Sequence, residues 1–168
     1  PSDMTTPLII PKFPAFCEDI RGIYTQTLAN KSGKLADYIP ELKNVDPDQY
    51  GVGVCTIDGQ QFSLGQASVP FCVQSVSKPI NYCLALEELG KDKVHQHIGR
   101  EPSGRGFNEL TLNDDGLPHN PMLNAGGIMS CALIQQEKTF NERLDYVLAQ
   151  WQALSASKHQ NINISLGN

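Results

Sequence analysis

Residues 99–127 hold six glycines, three prolines and four asparagines in 29 positions and show little hydrophobic period. Proline removes a backbone donor and glycine a conformational restraint, so no helix or strand of ordinary length can run through this stretch. A connection that long inside a compact domain is either functional or disordered. Aromatic and aliphatic residues are interspersed along it, which favours order. The regular elements must therefore come from the periodic segments on either side.

After Pro11 and Pro14, the apolar residues Phe16, Ile20, Ile23, Tyr24 and Leu28 recur at helical spacing and the pattern fades over residues 30–33, which predicts an amphipathic helix. Residues 52–57 are β-branched and compact, Asp58-Gly59 is a strong hairpin signal, and residues 62–64 supply the returning strand. Beyond Pro79, the residues Ile80, Tyr82, Cys83, Leu84, Leu86 and Leu89 are apolar on more than one side and stop at Gly90, as a buried helix with a glycine past its C-cap does. Past the long loop, Ile128, Met129, Ala132 and Leu133 predict a helix following Gly126-Gly127. Leu144, Val147, Leu148, Trp151 and Leu154 predict another, with Thr139-Phe140-Asn141-Glu142 as its capping box. The expected class is α+β, without repeats or a dividing linker.

Composition narrows the function. Thirteen basic against 18 acidic side chains give 13 − 18 = −5, no surplus with which to seek a polyanion, so nucleic-acid binding is set aside. No apolar run approaches the roughly 20 residues that span a bilayer, and 40% hydrophobic residues suffice for a core, so membrane insertion and disorder are set aside too. Cys17, Cys55, Cys72, Cys83 and Cys131 are odd in number and lack metal-ligand spacing; all but Cys72 fall in predicted helices or strands. Reduced thiols in an intracellular compartment are expected. The chain opens Pro1-Ser2-Asp3 with no visible signal peptide, which leaves room for a targeting segment upstream.

The sharpest chemical signal is Gln74-Ser75-Val76-Ser77-Lys78, which enters the predicted helix behind apolar residues 69–73 and contains Ser-x-x-Lys. In the first turn of a helix, residues three apart share a face, which brings the Lys78 amine within reach of the Ser75 hydroxyl. A neutral amine there can take the hydroxyl proton as Ser75 attacks a carbonyl, while adjacent backbone N–H groups stabilise the oxyanion. The plainer alternative is that Ser75 caps the helix and Lys78 is solvated. Pro79 disfavours helical geometry at Lys78 and cannot donate to the Ser75 carbonyl, so the first turn is expected to be irregular or tightly wound. Ser77, a rival nucleophile, points to a different helical face from Lys78, and Ser75 is preferred.

A second signal, residues 119–127 (His119-Asn120-Pro121-Met122-Leu123-Asn124-Ala125-Gly126-Gly127), is a polar loop feeding a helix N-terminus. Such a place suits an anionic or carboxamide ligand, and Asn124 offers both a donor and an acceptor to it. The alternative is that Asn120 and Asn124 satisfy loop backbone. Glu101-Pro102-Ser103-Gly104 with Phe107-Asn108 reads as a turn. His95 and His97 have no third ligand nearby, so no metal site is expected. Tyr38 lies in the loop before the hairpin, a packing position unless that loop reaches Ser75.

Several blocks in order resemble one family, the serine-dependent glutaminases, and specifically the phosphate-activated animal type with kidney and liver forms. They are Ala36-Asp37-Tyr38-Ile39-Pro40, then Val54-Cys55-Thr56-Ile57-Asp58-Gly59-Gln60, then Val69-Pro70-Phe71-Cys72 leading into Gln74-Ser75 and Lys78-Pro79. Glu101-Pro102-Ser103-Gly104 with Phe107-Asn108 follows, and His119-Asn120-Pro121-Met122 with Asn124-Ala125-Gly126 closes the series. The resemblance is strongest over residues 36–127. It implies a β-lactamase-like serine hydrolase fold and hydrolysis of L-glutamine to L-glutamate and ammonia through a glutamyl-serine ester. By the same resemblance Ser75 is the nucleophile and Lys78 its activating base, Asn124 binds substrate, and Tyr38 and Gln74 line the same pocket. It further implies a mitochondrial location, assembly as dimers or tetramers, no metal or organic cofactor, and inorganic phosphate as an activator.

The resemblance also implies that residues 1–168 are a partial catalytic domain, its N-terminal half. The Ser-Glu-Arg-Glu block, a following asparagine, two pocket tyrosines and a Lys-Ser-Gly strand of the second half do not occur here, and residues 161–168 only loosely match the expected continuation. Two other readings compete. One is an inactive truncated segment that binds or regulates full-length glutaminase through the surface left open. The other is a penicillin-recognising serine hydrolase, which shares Ser-x-x-Lys but carries Ser-Asp-Asn and Lys-Thr-Gly, both absent from this chain.

Overall fold

The computed structural model describes residues 9–155; residues 161–168 lie outside them. The chain divides into two compact units whose boundary in sequence falls between Phe71 and Cys72.

In the first unit, Pro14 opens helix α1 (Phe13–Thr27), which buries Phe13 and Cys17. Strands β1 (Gly51–Cys55) and β2 (Gln61–Gly65) form an antiparallel hairpin in which Val52 faces Leu64 and Val54 faces Phe62. Those four side chains share the half-buried face, and the alternate positions are exposed. The predicted Asp58-Gly59 turn is present: Gly59 sits at φ 86, open only to glycine at low cost, and the Thr56 hydroxyl bonds the Asp58 carboxylate. A two-stranded ribbon is marginal by itself, and α1 supports it. Tyr24 stacks on Tyr50 with ring centroids 4.9 Å apart, and the Arg21 guanidinium lies 5.4 Å from the Phe62 centroid.

The second unit is helical. Helix α2 (Ser77–Leu89) runs to Gly90 at φ 77, as the sequence predicts, and short α3 (Lys91–Val94) follows. Helices α4 (Asn124–Leu133) and α5 (Phe140–Ser155) complete it. Leu84, Ala85, Val94, Ile98, Leu133 and Ile134 form the core, with Met129, Tyr146, Val147 and Trp151 packed against them. Helix α4 starts at Asn124, four residues before the expected Ile128, since Gly126 and Gly127 are inside it and not before it. Both are buried, and close packing, not chain reversal, is their role there.

The ends of these helices are fastened by side chains. The capping box of α5 forms as predicted: Thr139 N–H and its hydroxyl donate to Glu142 Oε2 at 2.8 and 2.7 Å, and Glu142 N–H returns to Thr139 Oγ1 at 3.4 Å. Arg143 reaches back from α5 to the carbonyls of Cys131, Ala132 and Ile134 at 2.6, 3.1 and 2.9 Å, satisfying the orphan acceptors at the end of α4. Glu88 on α2 accepts the Gln135 N–H, holding a residue whose φ is 48. His95 caps α3 and spends both ring nitrogens, one on the Tyr82 hydroxyl and one on the Ile98 carbonyl, each at 2.8 Å. All five cysteines are free, and Cys72 alone lies outside the helices and strands. No described helix is long and apolar enough to cross a membrane.

Two measurements test this packing. Ile98 is fully buried at the centre of the core, so Ile98→Ala should destabilise the second unit by about 2–5 kcal/mol in denaturant titration. The hydrogen bonds from Thr139 lower the Glu142 pKa from its ordinary value. A depressed carboxylate stabilises the fold above its unfolded pKa and loses that stabilisation as pH falls through its folded one. Glu142→Gln should therefore flatten the acid limb of the stability–pH curve, and Thr139→Ala should return the Glu142 titration, followed by carboxyl NMR, toward the ordinary value.

Candidate active site

The site is assembled where α2 and α4 begin. Ser75 lies in a single 3₁₀ turn, Gln74–Val76, that precedes α2, and not in the first turn of the α-helix itself. The cause is Pro79. It has no N–H to return to the Ser75 carbonyl, and the Ser77 N–H points instead at the carbonyls of Gln74 and Ser75. The tight winding expected from Pro79 is thus observed. Gln74 takes φ 45, a left-handed conformation that costs a non-glycine residue on the order of 1–3 kcal/mol. Nothing in the sequence signals that strain, which sits directly before the serine.

Lys78 does not hydrogen-bond Ser75. Its ammonium donates to the Met122 carbonyl at 2.9 Å and to Asn124 Oδ1 at 2.7 Å, across more than forty residues of sequence. The expected solvated lysine is absent as well, because the side chain is half-buried and lies 5.8 Å from the centroid of the Phe107 ring. Both oxygen partners are neutral, and no described carboxylate forms an ion pair with it. An ammonium has three donors, so these bonds leave one for a further acceptor. Asn124 therefore does more than satisfy loop backbone: its side chain holds Lys78 while its own N–H donates to the Phe107 carbonyl at 3.0 Å.

The supporting shell explains the glycines. A Cβ at Gly127 would lie 3.1 Å from Lys78 Cγ and 3.3 Å from Cε, so the lysine stem crosses α4 where a side chain is missing. A Cβ at Gly126 would run into the Asn120 carbonyl and lie 2.9 Å from Pro121 Cα. Asn120 itself satisfies backbone, as the plainer reading of it had it. Its Oδ1 accepts from Met122 and Leu123 N–H at 3.0 and 3.3 Å, and its Nδ2 donates to the Glu101 carbonyl at 2.9 Å. Residues 101–104 bend, with Gly104 at φ 66, but the hydrogen-bonded turn lies just after them, where Glu109 N–H donates to the Gly106 carbonyl at 3.1 Å around Phe107-Asn108. Phe107, read from sequence only as part of that turn, reaches the lysine.

Among the other candidate residues, Gln74 contacts Cys72 Sγ through Nε2 at 3.2 Å. The Ser77 hydroxyl donates to the Gln74 carbonyl at 2.8 Å, which engages the rival nucleophile in the turn. Tyr38 belongs to the first unit and is 72% exposed. A cavity of about 410 Å³ in that unit includes Lys31, already paired with Asp48 at 2.6 Å, and none of the residues around Lys78. Chemically, the second unit offers a hydroxyl, an amine and a carboxamide where two helices begin, and helix N-termini favour developing negative charge. That combination suits acyl transfer from an amide or ester.

Comparisons with known proteins agree with this chemistry. A family model described as glutaminase matches residues 33–166. The mitochondrial liver isoform of glutaminase from Mus musculus is 44% identical over 140 residues, which are 83% of this chain and 23% of that protein. Glutaminase 2 of Bradyrhizobium diazoefficiens is 50% identical over 107 residues, 64% of this chain and 17% of its own length. Among solved structures, the one described as probable glutaminase ybaS superposes with a TM-score of 0.77 at 32% identity, covering 86% of this chain and 47% of that one. The chain thus spans about a quarter or less of these two curated relatives and about half of the solved one.

If Gly126 is needed for the Asn120 loop to cross α4, Gly126→Ala should lower stability by about 1–3 kcal/mol in thermal or denaturant unfolding.

Proposed function

The chain belongs to the glutaminase family, and from that premise we propose that it carries part or all of the machinery that hydrolyses L-glutamine to L-glutamate and ammonia. The observation that carries the reading is the Lys78 ammonium, bound to Asn124 at 2.7 Å three residues after a serine in a strained turn. Lys78, once neutral, takes the proton from Ser75 Oγ as that oxygen adds to the side-chain carboxamide carbon of glutamine. Backbone N–H groups where α2 begins stabilise the oxyanion. Collapse of the adduct breaks the C–N bond, and the proton passes from Lys78 to the departing ammonia. Water then cleaves the glutamyl-serine ester and restores the hydroxyl, releasing glutamate. Asn124, Gln74 and Tyr38 bind the substrate in this scheme.

The same reading extends to a β-lactamase-like fold, to catalysis without metal or organic cofactor, to activation by inorganic phosphate and to assembly as dimers or tetramers. A mitochondrial location is supported by the mouse relative, whose name carries it; the bacterial relative shows that the family is not confined there. No observation favours the regulatory-segment or penicillin-recognising alternatives.

Glutamine-dependent ammonia release by the purified chain, with and without phosphate, is the test. Ser75→Ala should lower kcat by at least about a thousandfold while leaving the circular dichroism spectrum unchanged. Lys78→Arg should fail similarly, because arginine stays protonated and cannot act as a base. A rate unchanged in Ser75→Ala overturns Ser75 as the nucleophile.

A further inference from the structure

We propose that Asn120 is a positioning residue for Lys78, acting through the backbone of Met122; the inference rests on Lys78 being the base of the proposed reaction. Of the two oxygens that hold the Lys78 ammonium, one belongs to the Asn124 side chain and the other to the Met122 main chain. A main-chain carbonyl has no rotamer of its own, so its position is set by whatever fixes the turn around it. Here that is Asn120. Its Oδ1 accepts from both Met122 and Leu123 N–H, an arrangement that closes an Asx turn over residues 120–123.

The other end of the carboxamide anchors the turn. Nδ2 donates to the Glu101 carbonyl, in a segment where Gly99 N–H donates to the Pro118 carbonyl at 2.7 Å and Glu101 N–H to the His119 carbonyl at 3.1 Å. Exchanging the amide's oxygen and nitrogen would set N–H groups against N–H groups and a carbonyl against a carbonyl, so all three bonds fix one orientation. Asn120 also presses its own carbonyl against Gly126 in the first turn of α4. Its side chain hydrogen-bonds to Glu101, Met122 and Leu123, and not to Ser75 or Lys78. It orients an acceptor that does, and is therefore a positioning residue.

The test follows Lys78 directly. Acetic anhydride at limiting dose labels lysines of the whole folded chain, and peptide mass spectrometry compares Lys78 with exposed Lys91 and Lys138 as internal standards. Asn120→Ala should raise the Lys78 labelling rate relative to those standards by at least about tenfold, the equivalent of one charged hydrogen bond lost. It should lower kcat by about tenfold to a hundredfold with KM little changed. Asn120→Asp keeps an oxygen for Met122 and Leu123 N–H but loses the donor to the Glu101 carbonyl, so its Lys78 rate should fall between those of the original chain and Asn120→Ala, which separates the turn from a general loosening. An unchanged Lys78 rate in Asn120→Ala overturns the inference whatever kcat does, and so does equal acceleration of all three lysines. Faster Lys78 labelling with undiminished kcat supports the placement and instead removes Lys78 as the base. The labelling arm requires no catalytic activity.

Discussion

One ammonium group sets the terms for the rest of the second unit. Lys78 is half-buried and draws its partners from a segment more than forty residues away in sequence. A cation withdrawn from water must find hydrogen bonds, since leaving them unmade costs several kcal/mol. That requirement fixes where Met122 and Asn124 stand, hence where α4 begins. It also dictates the residues around them. Gly127 leaves room for the lysine stem, Gly126 lets the Asn120 loop pass, and the Phe107 ring lies within 6 Å of the charge. An irregular segment rich in glycine, proline and asparagine is what such a cradle needs, because it brings a main-chain oxygen at Met122 and a side-chain oxygen at the first residue of α4 to one point.

Fixing the start of α4 would achieve little if its other end moved. Arg143 closes the helix there by donating to three carbonyls, and Glu88 ties the following residue to α2. Between the ends, Leu133 and Ile134 join Leu84 and Ala85 in the core, and buried Ser130 turns its hydroxyl onto the Gly126 carbonyl at 2.9 Å. Helix α4 is thus held against α2 along its length. A lysine on one helix, a serine in the turn that leads into it and an asparagine on another helix keep their spacing only if the two helices behave as one body, and this packing supplies that.

What could be read from the sequence was local. The hairpin turn at Asp58-Gly59, the stop at Gly90 and the capping box from Thr139 to Glu142 each depend on residues within a few positions of one another, and each is present. The tight turn at Ser75 followed from Pro79 by the same kind of reasoning. Errors arose where distant parts of the chain decide. Gly126-Gly127 looked like punctuation before a helix, yet packing against Asn120 and Lys78 places them inside it. The reach of Lys78 toward Asn124 and away from Ser75 had no local signal at all. Both residues were identified as candidates, but their contact belongs to tertiary structure. The left-handed Gln74 and the approach of Phe107 were equally silent.

The neutrality of the lysine's partners matters for the chemistry. A carboxylate in the place of Asn124 would position the nitrogen just as well, and would also favour the ammonium form by direct charge attraction. In the proposed reaction the lysine must be able to lose its proton and recover it within one turnover. Carbonyl and carboxamide oxygens hold the nitrogen in place by dipoles alone, so geometry is fixed without binding the charge to a counter-ion. The remaining donor of the ammonium and the exposed, strained turn beside it then face a problem of approach, not of assembly. In the proposed reaction, Ser75 needs only to bring its hydroxyl to a nitrogen that the fold already holds.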